Sequence, residues 1–207
     1  MMNKFHPFCS NSISAIMLAL LCVTQALAET PQEYVVKAEK AFDESDIVSA
    51  MSYYRKAAEA GYVPAQTRLA YLLDTSEENE EAVKWYQQAA ATGDAEAEYG
   101  LAGMYAAGDG IEQNSSEALR LFTSSANKGY TPAIHVMAVA CEKGELGLRI
   151  DYEAAREWLE KGVQQNDYWS TGRLAQAYSN GELGLRIDRQ KAAQLEQQLA
   201  GLKKDSD

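Results

Sequence analysis

The chain contains internal repeats, and these limit its possible folds more than any other feature. The octapeptide Gly-Glu-Leu-Gly-Leu-Arg-Ile-Asp occurs at 144–151 and again, unchanged, at 181–188, which is 37 residues later. A second motif, Gly-Tyr-x-Pro-Ala, occurs at 61–65 and at 129–133. Self-similarity with a period of roughly 20–50 residues is typical of proteins built from stacked units. The chain is therefore expected to be a repeat protein.

Each repeat carries the start and stop signals of a helix. Alignment on the repeats places five alanines in one column, spaced by 32, 36, 37 and 37 residues. Four residues before each alanine is a candidate helix N-cap, whose side-chain oxygen accepts from the free N–H groups of the first turn. A Gly or Asn after the helix can adopt the left-handed conformation that ends it. The columns are Ala50, Ala82, Ala118, Ala155 and Ala192; Asp46, Glu78, Asn114, Asp151 and Asp188; and Gly61, Gly93, Gly129 and Asn166.

A second helix follows in each repeat, and we expect it to start at Ala65, Ala97, Ala133 and Ser170. Its large apolar residues recur at a spacing of four, which places them on one face of the helix. Glycine stops follow, and a loop returns the chain to the next N-cap. One antiparallel pair cannot bury this face alone, so successive pairs must stack. The predicted fold is all-α, a right-handed α/α solenoid of stacked antiparallel helix pairs.

The first residues have the layout of a secretory signal peptide. Lys4 precedes an apolar run over 13–23, and Ala26-Leu27-Ala28 stands before Glu29. The run is too short to span a bilayer comfortably. We expect cleavage after Ala28, which predicts a periplasmic or secreted product. An uncleaved anchor is the disfavoured alternative, as is a lipoprotein attached at Cys22, because leucines precede that cysteine.

The repeats divide the rest of the chain into units of one domain. Residues 1–28 are the predicted signal peptide, and 29–207 are one solenoid. Its predicted parts are an N-terminal helix pair at about 29–64, repeats at 65–96, 97–132, 133–169 and 170–202, and a tail at 203–207.

The charge of the chain narrows the class of partner. Its formal net charge is −11, with 19 basic and 30 acidic residues. Removal of residues 1–28 takes away Lys4 and no acidic residue, which leaves −12. Such a surface repels phosphate backbones, so we predict no nucleic-acid partner. A basic or neutral protein partner fits better, and no stable membrane insertion is expected after signal cleavage.

These columns resemble the Sel1-like repeat family, bacterial relatives of tetratricopeptide repeats. The resemblance rests on Ala97-x-x-x-Leu101-Ala102-x-x-Tyr105-x-x-Gly108 and on the stretch 82–90, and it covers nearly all of 29–207. The unit around 74–81 departs from it, being shorter and without a glycine loop. Ordinary tetratricopeptide repeats recur about every 34 residues, so the spacings of 36 and 37 favour the Sel1-like family. The resemblance implies an exported scaffold that binds proteins along its concave face.

Few residues of the predicted mature chain suit catalysis. After residue 28 the chain holds one cysteine, Cys141, and one histidine, His135. Cys141 occupies the column of Leu73, Tyr105 and Tyr178, which predicts a buried apolar role. His135 is predicted to be a groove or surface residue rather than a catalytic base. We predict no catalytic residue, no metal site and no cofactor, and we interpret the acidic runs as solvated surface and helix caps.

Candidate binding residues lie on the second helices, at positions that do not serve the predicted core. Those positions are Gln66, Thr67, Arg68, Tyr71, Glu98, Tyr99, Met104, His135, Val139, Arg173 and Gln176. If these helices line the concave side, as in the related repeats, aromatic and arginine side chains are the strongest anchors for a partner. The predicted contacts are Arg68, Tyr71, Tyr99, Met104, His135 and Arg173, together with Trp169 in the preceding turn.

The resulting hypothesis is a non-catalytic periplasmic adaptor. Small exported Sel1-like proteins resemble immunity partners of secreted toxins, notably phospholipase-type effectors of type VI secretion. A subunit for envelope assembly, motility or signalling regulation is the alternative. A hydrolase of cell-wall or β-lactam bonds is disfavoured, because the Sel1-like proteins reported to act on β-lactams carry regularly paired cysteines.

Overall fold

The computed structural model describes residues 29–204, which form ten α-helices and, within that range, no strand. The predicted signal peptide at 1–28 and the last three residues of the predicted tail lie outside the described range. The helices are α1 Pro31–Asp43, α2 Ile47–Glu59, α3 Val63–Thr75, α4 Asn79–Ala91, α5 Ala95–Ala107, α6 Ser115–Asn127, α7 Thr131–Lys143, α8 Tyr152–Gln164, α9 Tyr168–Asn180 and α10 Arg189–Lys204.

The predicted column of N-caps begins the even-numbered helices. The side chains of Asp46, Asn114 and Asp151 each accept a hydrogen bond from a backbone N–H three residues later, at 3.0 Å. Asp188 does the same at 2.9 Å. Glu78 precedes α4 but makes no side-chain cap bond. Four of the five predicted caps are therefore confirmed as hydrogen-bonded caps.

The odd-numbered helices begin two residues earlier than predicted. The helices α3, α5, α7 and α9 start at residues 63, 95, 131 and 168 rather than at 65, 97, 133 and 170. In two of them an aspartate is the N-cap of the earlier start. Asp94 accepts a hydrogen bond from Ala97 N–H at 2.8 Å, and Asp167 accepts one from Ser170 N–H at 2.7 Å. In α3 and α7 a proline occupies the first turn, where its missing N–H costs no helical bond.

Helix ends follow the predicted left-handed positions. Gly108, Gly144 and Gly181 have φ values of 83°, 75° and 72°, and each ends an odd-numbered helix. The short unit without a glycine loop still uses this conformation, because Glu77 has φ 64° between α3 and α4. This turn has a higher conformational energy than a glycine turn, because the Cβ of Glu77 crowds the backbone in the left-handed conformation.

The core runs along the stack of helices. Every alanine of the predicted column is buried. Each helix packs mainly on its neighbours in the chain, which gives the one-dimensional contact pattern of a solenoid. One cluster of buried side chains extends from Ala38 to Met137 and a second from Ala138 to Leu195, with Trp158 packed against both. The predicted all-α solenoid of stacked helix pairs is confirmed.

Two glycines in α5 provide a matched test of this packing. A methyl group added at Gly100 would lie 2.4 Å from the buried ring of Tyr86, whereas one added at Gly103 would meet no atom within 4 Å. We expect G100A to lower the free energy of unfolding by about 1–3 kcal/mol, because the ring and helix must separate. G103A should raise it by up to about 1 kcal/mol through helix propensity. Urea unfolding measures both, and equal effects of the two changes would contradict the packing.

Candidate functional site

A groove of about 290 Å³ lies between α3 and α5, the second helices of successive pairs, and we call it the tyrosine groove. Its volume is just below the range for small-ligand sites, about 300–1,000 Å³. It can therefore admit a side chain or a short segment of a partner. Its lining consists of Arg68, Tyr71, Asp74, Tyr86, Glu96, Tyr99, Gly100, Gly103, Met104, Asp109, Phe122 and Tyr130.

Helical spacing and aromatic packing place these side chains together. Tyr71 and Asp74 are three residues apart on α3 and so share a face. On α5 the ring of Tyr99 packs against Phe122 and Tyr130, with centroid distances of 5.6 Å and 5.4 Å. These contacts hold Tyr99 in one orientation at the wall of the groove.

The glycines of α5 decide how deep the groove is. The Tyr86 ring of α4 reaches the groove because Gly100 has no side chain to exclude it. One turn further along, Gly103 leaves open space where any other residue would project. A glycine inside a helix lowers helix stability, so two of them three residues apart indicate a packing or binding reason.

Burial and the nearby carboxylates both disfavour negative charge in the groove. Burial and the nearby charge of Asp109 raise the pKa of Asp74 above its usual value. Burial, followed by the charge of Glu96, raises the pKa of Tyr130 to about 12. Burial and the charges of Asp74 and Glu96 also raise the pKa of Tyr86. Each shift shows that an additional negative charge is disfavoured in the groove.

A second, larger cavity adjoins the groove and shares Arg68 and Glu96 with it. This N-terminal cleft has a volume of about 580 Å³ and lies among α1, α2, α3 and the start of α5. The Arg68 guanidinium lies over two rings, 5.0 Å from the centroid of Phe42 and 5.3 Å from that of Tyr71. The remaining lining consists of Val35, Glu39, Phe42, Asp43, Tyr54, Pro64, Thr67 and Asp94.

The structure brings together four of the seven predicted contact residues. Arg68, Tyr71, Tyr99 and Met104 all line the tyrosine groove. Tyr71 is 45% exposed, so a partner can reach it. Met104 is only 3% exposed and belongs to the core cluster, which corrects the prediction that its position does not serve the core. The reason is that α5 packs against both α4 and α6, so its buried face is wider than one stripe.

Three polar positions that were assigned outside the core are also buried. Gln66 donates to the Ala58 carbonyl at 3.2 Å, and Thr67 donates to Asp94 at 3.0 Å. Glu98 accepts from the Lys128 ammonium at 2.7 Å. They are buried because they connect neighbouring helices through hydrogen bonds, which a hydrophobic pattern cannot reveal.

The other three predicted contacts lie away from the groove. His135 Nε2 lies 2.7 Å from Asp167 Oδ2, and its ring centroid is 4.4 Å from that of Trp169. An ionised carboxylate only accepts hydrogen bonds, so Nε2 is the donor here. Arg173 bridges Glu142 and Glu182, at 2.5 Å and 2.6 Å. These side chains already hold neighbouring repeats together.

The acidic and glycine members of the groove were not predicted from the sequence. Asp74 was given no role, and Asp109 was interpreted as part of an acidic surface. Their shared place in the groove depends on how α3 stacks on α5. The one sequence signal for them is helical spacing from a tyrosine. Asp74 follows Tyr71 by three residues, and Asp109 follows Tyr105 by four. Gly100 and Gly103 carried a clearer signal, because they interrupt an otherwise helical pattern.

Cys141 is 6% exposed, as predicted for a buried apolar role, and burial raises the pKa of its thiol, so the reactive thiolate is disfavoured. Within 29–204 there is no group of three or more His, Cys, Asp or Glu side chains placed to hold a metal ion. Over the same range, no helix combines the length and the apolar character needed to cross a bilayer.

Stacked helix pairs with an open groove on the second helices define an α-solenoid scaffold, a fold typical of protein-interaction adaptors. The chain belongs to the Sel1 repeat family, whose model matches residues 43–62, 63–94, 95–130, 131–167 and 172–200. The resemblance stated from the sequence columns is thereby confirmed.

Individual relatives agree with this assignment. The chain superimposes with a TM-score of 0.72 on a protective antigen of uropathogenic Escherichia coli that displays an SLR fold, at 30% identity over 89% of this chain and 40% of that one. It is 34% identical to an uncharacterized protein of Neisseria meningitidis over 58% of this chain and 25% of the relative. It is 31% identical to a chitin synthase regulator of Saccharomyces cerevisiae over 60% and 19%. The chain thus spans a quarter or less of the length of these two curated relatives.

The link between His135 and Asp167 predicts a pH-dependent contribution to stability. Burial alone would raise the pKa of Asp167, but hydrogen bonds from Ser170 and His135 outweigh burial and lower it. A lowered pKa in the folded state stabilises the fold above the unfolded-state pKa of about 3.9, and this stabilisation is lost as the pH falls through the folded value. D167N keeps an oxygen to cap α9 but removes the charge. We expect it to cost about 1 kcal/mol near neutral pH.

Urea unfolding between about pH 7 and about pH 3 tests this expectation, since the difference between wild type and D167N should close toward the acidic end. D151N is the matched control, because Asp151 caps α8 in the same way but has no hydrogen bond to His135, which pairs with Asp167. A difference that stays constant with pH would assign the effect of D167N to shape rather than to charge.

Proposed function

We propose that this protein is an exported, non-catalytic adaptor that engages a protein partner through the tyrosine groove. The observation that carries the proposal is the groove itself, an open cavity lined by tyrosines on second helices of successive repeats. Tyrosine and arginine are the residues most often responsible for interface energy, because they bury large area with few rotatable bonds. The family supports the same class of function, since its solenoid fold is typical of protein scaffolds.

Export is proposed from the first 28 residues of the sequence. Their basic start, apolar stretch and Ala-Leu-Ala ending support a cleavable signal. We expect the protein recovered from the envelope fraction of a bacterial host to have a mass and N-terminal sequence that begin at Glu29. An N-terminus at Met1 would contradict cleavage, and a lipid-modified Cys22 would support the lipoprotein alternative instead.

Two alternative roles are proposed for the adaptor. An immunity protein that covers a cationic toxin surface suits the strong negative charge, because complementary charge accelerates and orients association. A regulatory subunit is the alternative, and it is favoured by the similarity to a chitin synthase regulator, whose name describes that protein as acting on an enzyme. Both roles require a stoichiometric protein complex, and the partner's identity separates them.

A capture experiment tests the adaptor proposal. The tagged protein is incubated with envelope extract at low and at high salt, and the retained proteins are identified by mass spectrometry. We expect one stoichiometric partner, and we expect Arg68→Ala combined with Tyr71→Ala to abolish its retention, since both side chains line the groove and Tyr71 is exposed.

The matched control is Arg149→Ala combined with Tyr152→Ala, which also removes one arginine and one tyrosine, outside the groove at the start of α8. Tyr152 is 44% exposed and Tyr71 is 45% exposed. Circular dichroism confirms that both variants are folded. Retention of no specific partner at either salt, or equal loss in both variants, would overturn the proposal that the groove binds a partner protein.

A further inference from the structure

The two adjoining cavities carry a large excess of negative charge. One basic side chain, Arg68, lines them, and it already lies over the rings of Phe42 and Tyr71. The ion pairs formed among the described residues include none of the three carboxylates of the tyrosine groove. Opposite Arg68 stand six carboxylates: Glu39, Asp43, Asp74, Asp94, Glu96 and Asp109.

Asp74 and Asp109 both line the groove, and two like charges in one cavity repel each other. Burial raises the pKa of the partly buried Asp74, and the charge of Asp109 raises this pKa further. A pair of like charges beside aromatic rings is stabilised by any cation that enters, because the cation is attracted to both carboxylates and to the ring faces. Asp94 differs from this pair, since it is engaged as the N-cap of α5.

Arg68 shows within the same molecule how these rings hold a positive group. Its guanidinium rests between an α1 ring, Phe42, and an α3 ring, Tyr71, at centroid distances of 5.0 Å and 5.3 Å. Beside Gly103 the groove is open space, and Arg68 is the one basic side chain among the described residues that line the groove. The groove therefore has the aromatic walls and the carboxylates of a cation site, together with open space for the cation.

We propose that the tyrosine groove is a receptor for a lysine or arginine side chain on an exposed basic segment of the partner. The alkyl stem lies along Tyr99 and Met104, and the charged end lies beside Asp74 and Asp109. This inference rests on the proposed adaptor function and specifies the chemistry of the partner.

Charge complementarity favours this occupant over the others that the groove could admit. An acidic segment or a nucleic acid would add to the repulsion between Asp74 and Asp109. A second copy of this chain would carry the same net negative charge, −11, and net repulsion would oppose its approach. A neutral apolar segment would bury the carboxylates without pairing them, which is costly. A basic segment alone pairs the carboxylates and covers the rings.

The test uses the purified protein and three capped pentapeptides in which glycines alternate with two test residues. The first carries two lysines. The second carries two norleucines, which have a similar alkyl stem without charge, and the third carries two glutamates. Binding is followed by the ¹H–¹⁵N resonances of Gly100, Gly103 and Tyr99. We expect the lysine peptide alone to shift them, with an affinity that falls as salt is added.

Three variants localise the effect. Asp74→Asn combined with Asp109→Asn should weaken lysine-peptide binding by at least about tenfold. Glu157→Gln combined with Glu160→Gln removes the same total charge from exposed positions on α8 and should change binding less than about twofold. Gly103→Leu should block binding sterically, since its new side chain projects into the open space without a clash at Cβ.

Each outcome decides the proposal. Absence of resonance shifts with the lysine peptide, equal binding of the norleucine peptide, or equal weakening by the two charge variants would overturn it. These failures are distinct from failure of the adaptor proposal. A captured partner that is lost with R68A/Y71A but retained by D74N/D109N leaves the adaptor intact and rejects the cation site. A lysine peptide that binds, with no captured partner, leaves the cation site and rejects the adaptor.

Discussion

The close approach of helices at the buried alanine column is the constraint on which the rest of the structure depends. Four members of this column are fully buried and the fifth, Ala192, is 4% exposed, so little room is left around their methyl groups. Because the column recurs in each repeat, every pair stacks on the next in a similar way. The stacking brings the second helices α3 and α5 side by side, and the tyrosine groove forms between them.

Two glycines of α5 determine the shape of the groove. Gly100 lets the Tyr86 ring of α4 reach across α5, and Gly103 leaves the space beside it unfilled. Both glycines weaken α5 as a helix, so the repeat stack must supply the stability that the local sequence lacks. The same region holds carboxylates that repel one another. It therefore combines weakened local structure with unpaired charge, as binding sites commonly do.

Most of the fold could be predicted from the sequence because its signals are local and repeated. Asp46, Asn114 and Asp151 cap helices as predicted, and Gly108, Gly144 and Gly181 end them, since each signal acts within a few residues of its own position. The starts of α5 and α9 were predicted two residues late because Asp94 and Asp167, their real caps, lie outside the aligned columns that were used. Met104 was misplaced because its burial depends on two neighbouring helices.

The sequence by itself determined the repeat architecture, the buried column and the tyrosines available for contact. Only the tertiary structure decided which of them meet. Tyr99 joins Asp74 and Asp109 in one groove, whereas His135 is engaged by Asp167 and Arg173 by two glutamates. The physical reason is that helix periodicity sets the face on which a side chain lies, while the distance between side chains on different helices depends on how the repeats stack.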